Sequence, residues 1–131
     1  MKTPAKTFLM FQGVCEEAFT YWAQVIPNSE VLEIRRHGPE AGGTEGKVLG
    51  AEMSIAGQVV MGFDSPVEHA FNFTPRISFF LDCEDEAEIE RVYAALLDGG
   101  EALMPIDNYG FSRRFGWVND RFGVSWQMTL A

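Results

Sequence analysis

Phe115-Gly-Trp-Val-Asn-Asp-Arg-Phe-Gly-Val-Ser-Trp-Gln-Met-Thr129 is the stretch on which the reading of this chain turns. Two apolar runs, Arg114 to Val118 and Val124 to Leu130, flank the polar turn Asn119-Asp120-Arg121, with Gly123 just beyond. β-branched and aromatic residues on both sides of a short glycine-containing turn predict an antiparallel hairpin. Side chains alternate along a strand, so Ser125, Gln127 and Thr129 share one face, and Val124, Trp126, Met128 and Leu130 the other. A polar face this regular, in a chain that is 47 % hydrophobic, either meets water or lines a wet cavity.

Working outward, the hairpin is preceded by a strand over Ala102 to Ile106; its own first strand is read from Ser112 to Val118. Before them the spacing predicts a helix from Asp82 to about Leu97, with Ile89, Val92, Tyr93, Leu96 and Leu97 as its apolar stripe and Gly99-Gly100 as its stop. Arg76 to Leu81 reads as the strand leading into that helix. The N-terminal half has the same order. A strand over Lys6 to Phe11 leads to a helix from Cys15 to Ile26, closed by Pro27, and then to strands over Val31–Arg36, Lys47–Ile55 and Gln58–Phe63. The loop His37 to Gly46, with four glycines and one proline, is expected to be mobile.

Each half therefore reads strand, helix, strand, strand, strand. Phe8-Leu-Met-Phe before Cys15-Glu-Glu-Ala echoes Ser78-Phe-Phe-Leu before Cys83-Glu-Asp-Glu-Ala, an offset of about 68 residues that suggests a duplication. The prediction is an α+β chain, a single domain over 1–131 made of tandem βαβββ modules. Module one spans about 5–64, a link about 65–75, and module two about 76–131.

Composition sets outer limits. At 131 residues the chain is long enough to bury a core without disulfide or metal staples. A net charge of −9 argues against nucleic acid as a partner, because phosphate binding wants clustered Lys and Arg. No segment approaches the ~20 apolar residues that cross a bilayer, and the run Phe8 to Phe11 is too short for a secretion signal. Cytoplasmic residence is the expectation. The two cysteines, Cys15 and Cys83, then stay reduced.

Tandem βαβββ units of this size resemble the vicinal oxygen chelate superfamily, which includes glyoxalase I, bleomycin-resistance proteins and ring-cleaving dioxygenases. Three motifs narrow the resemblance: Cys15-Glu-Glu-Ala-Phe-Thr-Tyr-Trp, Ile77-Ser-Phe-Phe-Leu-Asp-Cys-Glu-Asp, and Gly116-Trp-Val-Asn-Asp-Arg-Phe-Gly-Val-Ser-Trp-Gln. They are similar to the PhnB-like, or 3-demethylubiquinone-9 3-methyltransferase-like, branch. The resemblance implies modules that curl into half-open mixed sheets, paired to enclose a cavity, and homodimers. Methyl transfer is a separate matter. A typical S-adenosylmethionine enzyme has a parallel sheet with a glycine-rich strand-to-helix turn, and no helix follows Gly42-Gly43-Thr44-Glu45-Gly46.

Enzymes of the superfamily hold a divalent metal with His, Glu or Gln from the first and last strands of each module. Carried onto this sequence, the resemblance implies Thr7, a residue near Val60 or Met61, Arg76 and Gln127 at those places. That set cannot hold a hard or borderline cation, which wants several carboxylates or imidazoles. No metal and no cofactor are therefore expected. Arg76 and Gln127 suit a carboxylate or phosphate instead, since guanidinium offers a planar fork of donors. Arg76 pairing with a surface acid is the competing reading. Thr7, Arg76, Ser78, Trp117, Ser125 and Gln127 are the ligand-binding candidates.

Other chemistry-bearing residues read as structural. His37 and His69 lie in loops with no ligand partner at metal spacing, although His69 is in the link near the implied cavity mouth. Cys15 opens a helix, but Glu16 and Glu17 oppose a thiolate, and Cys83 stands in a still more acidic setting. The six carboxylates from Asp82 to Glu90 read as a solvated helix face. Trp22 and Trp126 are core candidates, and Tyr109 a lid or dimer contact. Two functions stay open: a metal-free dimeric protein binding a small, largely apolar molecule with a polar handle, or an enzyme of unknown reaction using Arg76, Gln127 and Ser78 or Ser125. The absence of a well-placed general base counts against the second.

Overall fold

A computed structural model describes residues 1–131, which divide into two compact units, Met1–His69 and Ala70–Ala131. The first contains β1 (Thr7–Phe11), α1 (Cys15–Val25), β2 (Glu30–Arg36), β3 (Val48–Ile55) and β4 (Gln58–Asp64). The second contains β5 (Phe79–Asp82), α2 (Glu86–Leu97), β6 (Glu101–Asp107), β7 (Arg114–Asn119) and β8 (Ser125–Leu130). Each unit is one βαβββ module. Its four-stranded sheet has the order β1-β4-β3-β2 in the first and β5-β8-β7-β6 in the second, with one parallel pair joining first strand to last. The predicted α+β class and tandem modules are what the chain adopts.

In the first unit α1 covers the face that carries Leu9, Phe11, Ala51, Met53 and Val60, all buried. Its apolar residues Cys15, Ala18, Phe19 and Trp22 recur at three- and four-residue spacing, and so fall on one side. Phe11 meets Phe19 edge-on at 6.0 Å. The helix has no capping side chain of its own. The buried Asp64, at the end of β4, accepts hydrogen bonds from the N–H groups of Gly13 (3.0 Å) and Cys15 (2.9 Å), and from Val48 N–H at 3.1 Å. One carboxylate thereby ties strand, helix start and β3 together.

In the second unit α2 lies over Leu81, Val118, Trp126 and Met128, with Ile89, Val92, Tyr93 and Leu96 buried beneath it. The helix starts at Glu86, four residues later than the acidic run suggests. Asp85 is extended and accepts from Glu88 N–H at 2.8 Å, while the Glu88 carboxylate reaches back to Glu84 N–H. This reciprocal cap, close to a capping box, sets the boundary. Cys15 thus lies inside a helix and Cys83 ahead of one, so the cysteine echo does not mark equivalent positions.

Two further expectations are corrected. Arg76 is not on β5: it follows Pro75 in a turn, with Ile77 N–H bonded to Thr74 O, and the strand begins only at Phe79. Proline lacks the N–H a ladder needs, which delays the strand. The stretch His37 to Gly46, expected as a plain loop, contains the 3-10 turn Pro39–Thr44, broken at Gly42 where φ is +62°.

Candidate functional site

Because each helix covers one sheet face, the opposite face of each unit is the one left for a ligand. In the second unit it is set by cross-strand register. Phe80 pairs with Gln127, Gln127 with Trp117, and Trp117 with Met104, so these four form one row across β5, β8, β7 and β6. Ser125 lies one step along β8 on the same side, opposite Asn119. Ser78 precedes β5 and shares the alternation of Phe80.

Four of these side chains form a hydrogen-bonded cluster. The Trp117 indole Nε1–H donates to Ser125 Oγ at 2.8 Å. Ser78 Oγ and Ser125 Oγ are 2.6 Å apart, and Gln127 Nε2 donates to Ser78 Oγ at 3.3 Å. Ser125 is buried, Ser78, Trp117 and Gln127 are half-buried, and Phe80 is 61 % exposed beside them. Toward the far end of the face, Phe115 is buried against Tyr109 and Phe111, whose rings meet it edge-on at 6.3 and 5.0 Å. The polar handles are thus framed by aromatic walls, as small-molecule sites commonly are.

Four of the six candidates from sequence, Ser78, Trp117, Ser125 and Gln127, meet in this cluster. Arg76 does not join it. It is exposed in the turn before β5 and takes part in none of the five ion pairs, so the competing reading of a surface pair is not what the structure contains. Thr7 belongs to the other unit and to its helix-side face. It pairs with the buried Val60, and its Oγ1 accepts from Gln58 Nε2. On the open face of that unit the register places Phe8 opposite Met61 and Met61 opposite Glu52, with Phe8 stacked on Phe63 at 5.1 Å. Phe80 was missed from sequence, although its two-residue spacing from Ser78 carried the signal.

The donors do not suit a divalent cation. The paired open-face positions midway along the first and last strands are Phe8 with Met61 and Phe80 with Gln127, and no group of three or more His, Cys, Asp or Glu side chains clusters anywhere. A single amide oxygen and a thioether fall short of the donor set such ions need. Nor does the chain offer a dinucleotide-type or S-adenosylmethionine loop, since Gly42–Gly46 leads into the antiparallel β3 and not into a helix.

The remaining candidates are structural. Cys15 is fully buried, and its thiol is pushed up to about 12 by burial, with Asp64 and Glu16 adding to the effect. Cys83 is pushed up to about 11 by burial, then by Glu88, Asp82 and Asp85. Neither is a poised nucleophile. His69 Nε2 lies 3.1 Å from Ser65 Oγ. A cleft of about 400 Å³ in the first unit is lined by Gln12, Thr44, Lys47 and Asp64 among others, but the Asp64 oxygens are already taken by backbone N–H groups. No helix is long and apolar enough to cross a membrane.

Residues 4–129 match the family described as 3-demethylubiquinone-9 3-methyltransferase. Among solved structures, the chain is similar to a Bacillus cereus protein provisionally named a 3-demethylubiquinone-9 3-methyltransferase, PhnB protein, with 44 % identity, TM-score 0.93, and coverage of 98 % of this chain and 100 % of that one. A protein from Pseudomonas aeruginosa is 26 % identical, with TM-score 0.84 and coverage of 98 % of each chain. At the level of fold alone, a glyoxylase/bleomycin resistance protein/dioxygenase domain from Frankia sp. matches with 11 % identity and TM-score 0.68, covering 100 % of this chain and 93 % of that one. None of the curated proteins matches the sequence.

Proposed function

Because this chain belongs to the 3-demethylubiquinone-9 3-methyltransferase (PhnB-like) family, on the glyoxalase/bleomycin-resistance fold, we propose that it binds a small organic molecule without a metal, on the open face of its second unit. The observation that carries this reading is the Ser78–Ser125–Trp117–Gln127 cluster framed by Phe80 and Phe115. Ser125 is buried and its hydroxyl needs partners, which Trp117 and Ser78 supply, while the half-buried Ser78, Trp117 and Gln127 keep the cluster within reach of a ligand. The ligand is largely apolar with one polar handle: the aromatic side chains take the body, the cluster takes the handle.

Catalysis has weaker support. No hydrogen bond links a His or a carboxylate to the four clustered side chains, so a general base with an orienting partner is not evident. The family description suggests methyl transfer, but the sheets and loops offer S-adenosylmethionine no glycine-rich cradle, and we do not adopt it. A homodimer in the cytoplasm completes the proposal. The uncovered Phe8 (59 % exposed) and Phe80 favour self-association, and the two free, buried thiols suit a reducing compartment.

Thermal-shift screening of the purified protein tests the reading. Small aromatic compounds with a polar handle should raise the melting temperature of the native protein and leave a Gln127→Ala variant unmoved. Stoichiometric Zn, Ni or Mn in the purified protein, with a metal-dependent rise in melting temperature, would overturn it.

A further inference from the structure

We infer that the cluster on the open face of the second unit recognises a neutral group with both an N–H and a carbonyl, as in an amide or lactam, and not a carboxylate or phosphate. This rests on the binding function proposed above and specifies its handle. It follows from the direction in which the hydrogen bonds of the cluster run when Gln127 Nε2 faces Ser78.

Ser125 is 2 % exposed, so its hydroxyl proton needs an acceptor within the protein. Trp117 Nε1 can only donate, and it already gives its proton to Ser125 Oγ. Asn119 faces Ser125 across the ladder, but its Oδ1 is buried with no hydrogen-bond partner and does not take the proton. Ser78 Oγ, at 2.6 Å, is the acceptor that remains. The same oxygen accepts from Gln127 Nε2. The chain of donors therefore runs from Trp117 to Ser125 to Ser78, with Gln127 converging on Ser78 from the other side.

Three functions of the cluster are left over. Ser78 Oγ, having accepted twice, keeps its own proton to donate, and Ser78 is half-buried, so that proton is within a ligand's reach. Gln127 gives one Nε2 proton to the cluster and leaves Oε1 as an acceptor and its second N–H as a donor, between Phe80 and Trp117 in the row. A donor beside an acceptor matches the carbonyl and N–H of an amide. A carboxylate or phosphate ester brings acceptors only: it can take the protons of Ser78 and Gln127, but it leaves Gln127 Oε1 without a donor and sets an anion beside it. No cation belongs to the cluster to offset that repulsion, because Arg76 lies in the preceding turn and bonds to none of the four side chains.

The experiment is a pair of titrations of the full-length 15N-labelled protein, one with benzamide and one with benzoate. The readout is the indole Nε1–H resonance of Trp117, assigned by its loss in Trp117→Phe. Benzamide should move that resonance with a dissociation constant roughly tenfold below that of benzoate, the ratio expected when one acceptor faces an anion in place of an N–H. In Ser78→Ala the preference for benzamide should shrink. If benzoate binds as tightly as benzamide or more so, the Gln127 amide is turned the other way and the face holds donors: the inference falls while the binding site stands. If neither compound moves the resonance, the inference and the binding function fall together.

Discussion

Asp120 is an acid in a polar turn whose role is invisible until the chain folds. It is 4 % exposed, its Oδ1 accepts from the N–H groups of Phe122 (2.9 Å) and Val124 (3.0 Å), and its Oδ2 accepts from Trp126 Nε1 at 2.9 Å. Gly123 closes the same turn at φ +84°, a conformation that favours glycine. Asp120→Asn keeps one acceptor but sets an NH2 against the Trp126 N–H, and should cost about 1–3 kcal/mol in a urea unfolding experiment. The cysteines offer a second test. Burial raises the Cys15 thiol from an ordinary 9.0 to about 12, so the folded chain holds that proton more tightly than the unfolded chain. The resulting contribution to stability is full below pH 9 and is lost as pH rises toward 12. Native protein at pH 8 should react with no equivalent of an aromatic disulfide reagent, and unfolded protein with two, one for each cysteine.

At the scale of elements, each helix packs a ring against a glycine of its sheet. A Cβ on Gly62 of β4 would stand 2.7 Å from the Phe19 ring and 3.0 Å from Cys15 Sγ, and one on Gly116 of β7 would stand 2.7 Å from the Tyr93 ring. The rings of the helices fill the space a side chain would take. Gly116→Val should therefore lower stability by about 1–3 kcal/mol, the cost of overpacking, read as a fall in melting temperature. Gly57→Ala, at a hairpin tip where a Cβ meets nothing within 4 Å, should show only the penalty of its positive φ. Period-two alternation made the strands readable and three-to-four spacing made the helices readable. The start of α2 was not, because an acidic run looks alike inside a helix and before one; the Asp85 cap decides it. Arg76 was likewise placed on a strand because its apolar neighbours continue the pattern, while the turn after Pro75 resets it.

For the whole molecule, the proposed dimer and the metal-free site are the claims to measure. Light scattering coupled to size exclusion should return twice the chain mass of 14.7 kDa. Chelator treatment should leave the melting temperature unchanged, and elemental analysis should find no stoichiometric transition metal. The net charge of −9 predicts no binding to nucleic acid in a gel-shift assay even at low salt, where repulsion from the phosphates is least screened.

What the residues alone determined was the repeated strand–helix–strand–strand–strand order and the polar face of Ser125, Gln127 and Thr129. These follow from local rules: periodicity and turn chemistry. Only the tertiary structure decided which candidates meet. Strand register is a long-range quantity, and a shift of one residue sends a side chain to the opposite face. That is why Thr7 turns toward its helix, why Phe80 joins the site, and why Ser78, 47 residues from Ser125 in the chain, ends within hydrogen-bond distance of it.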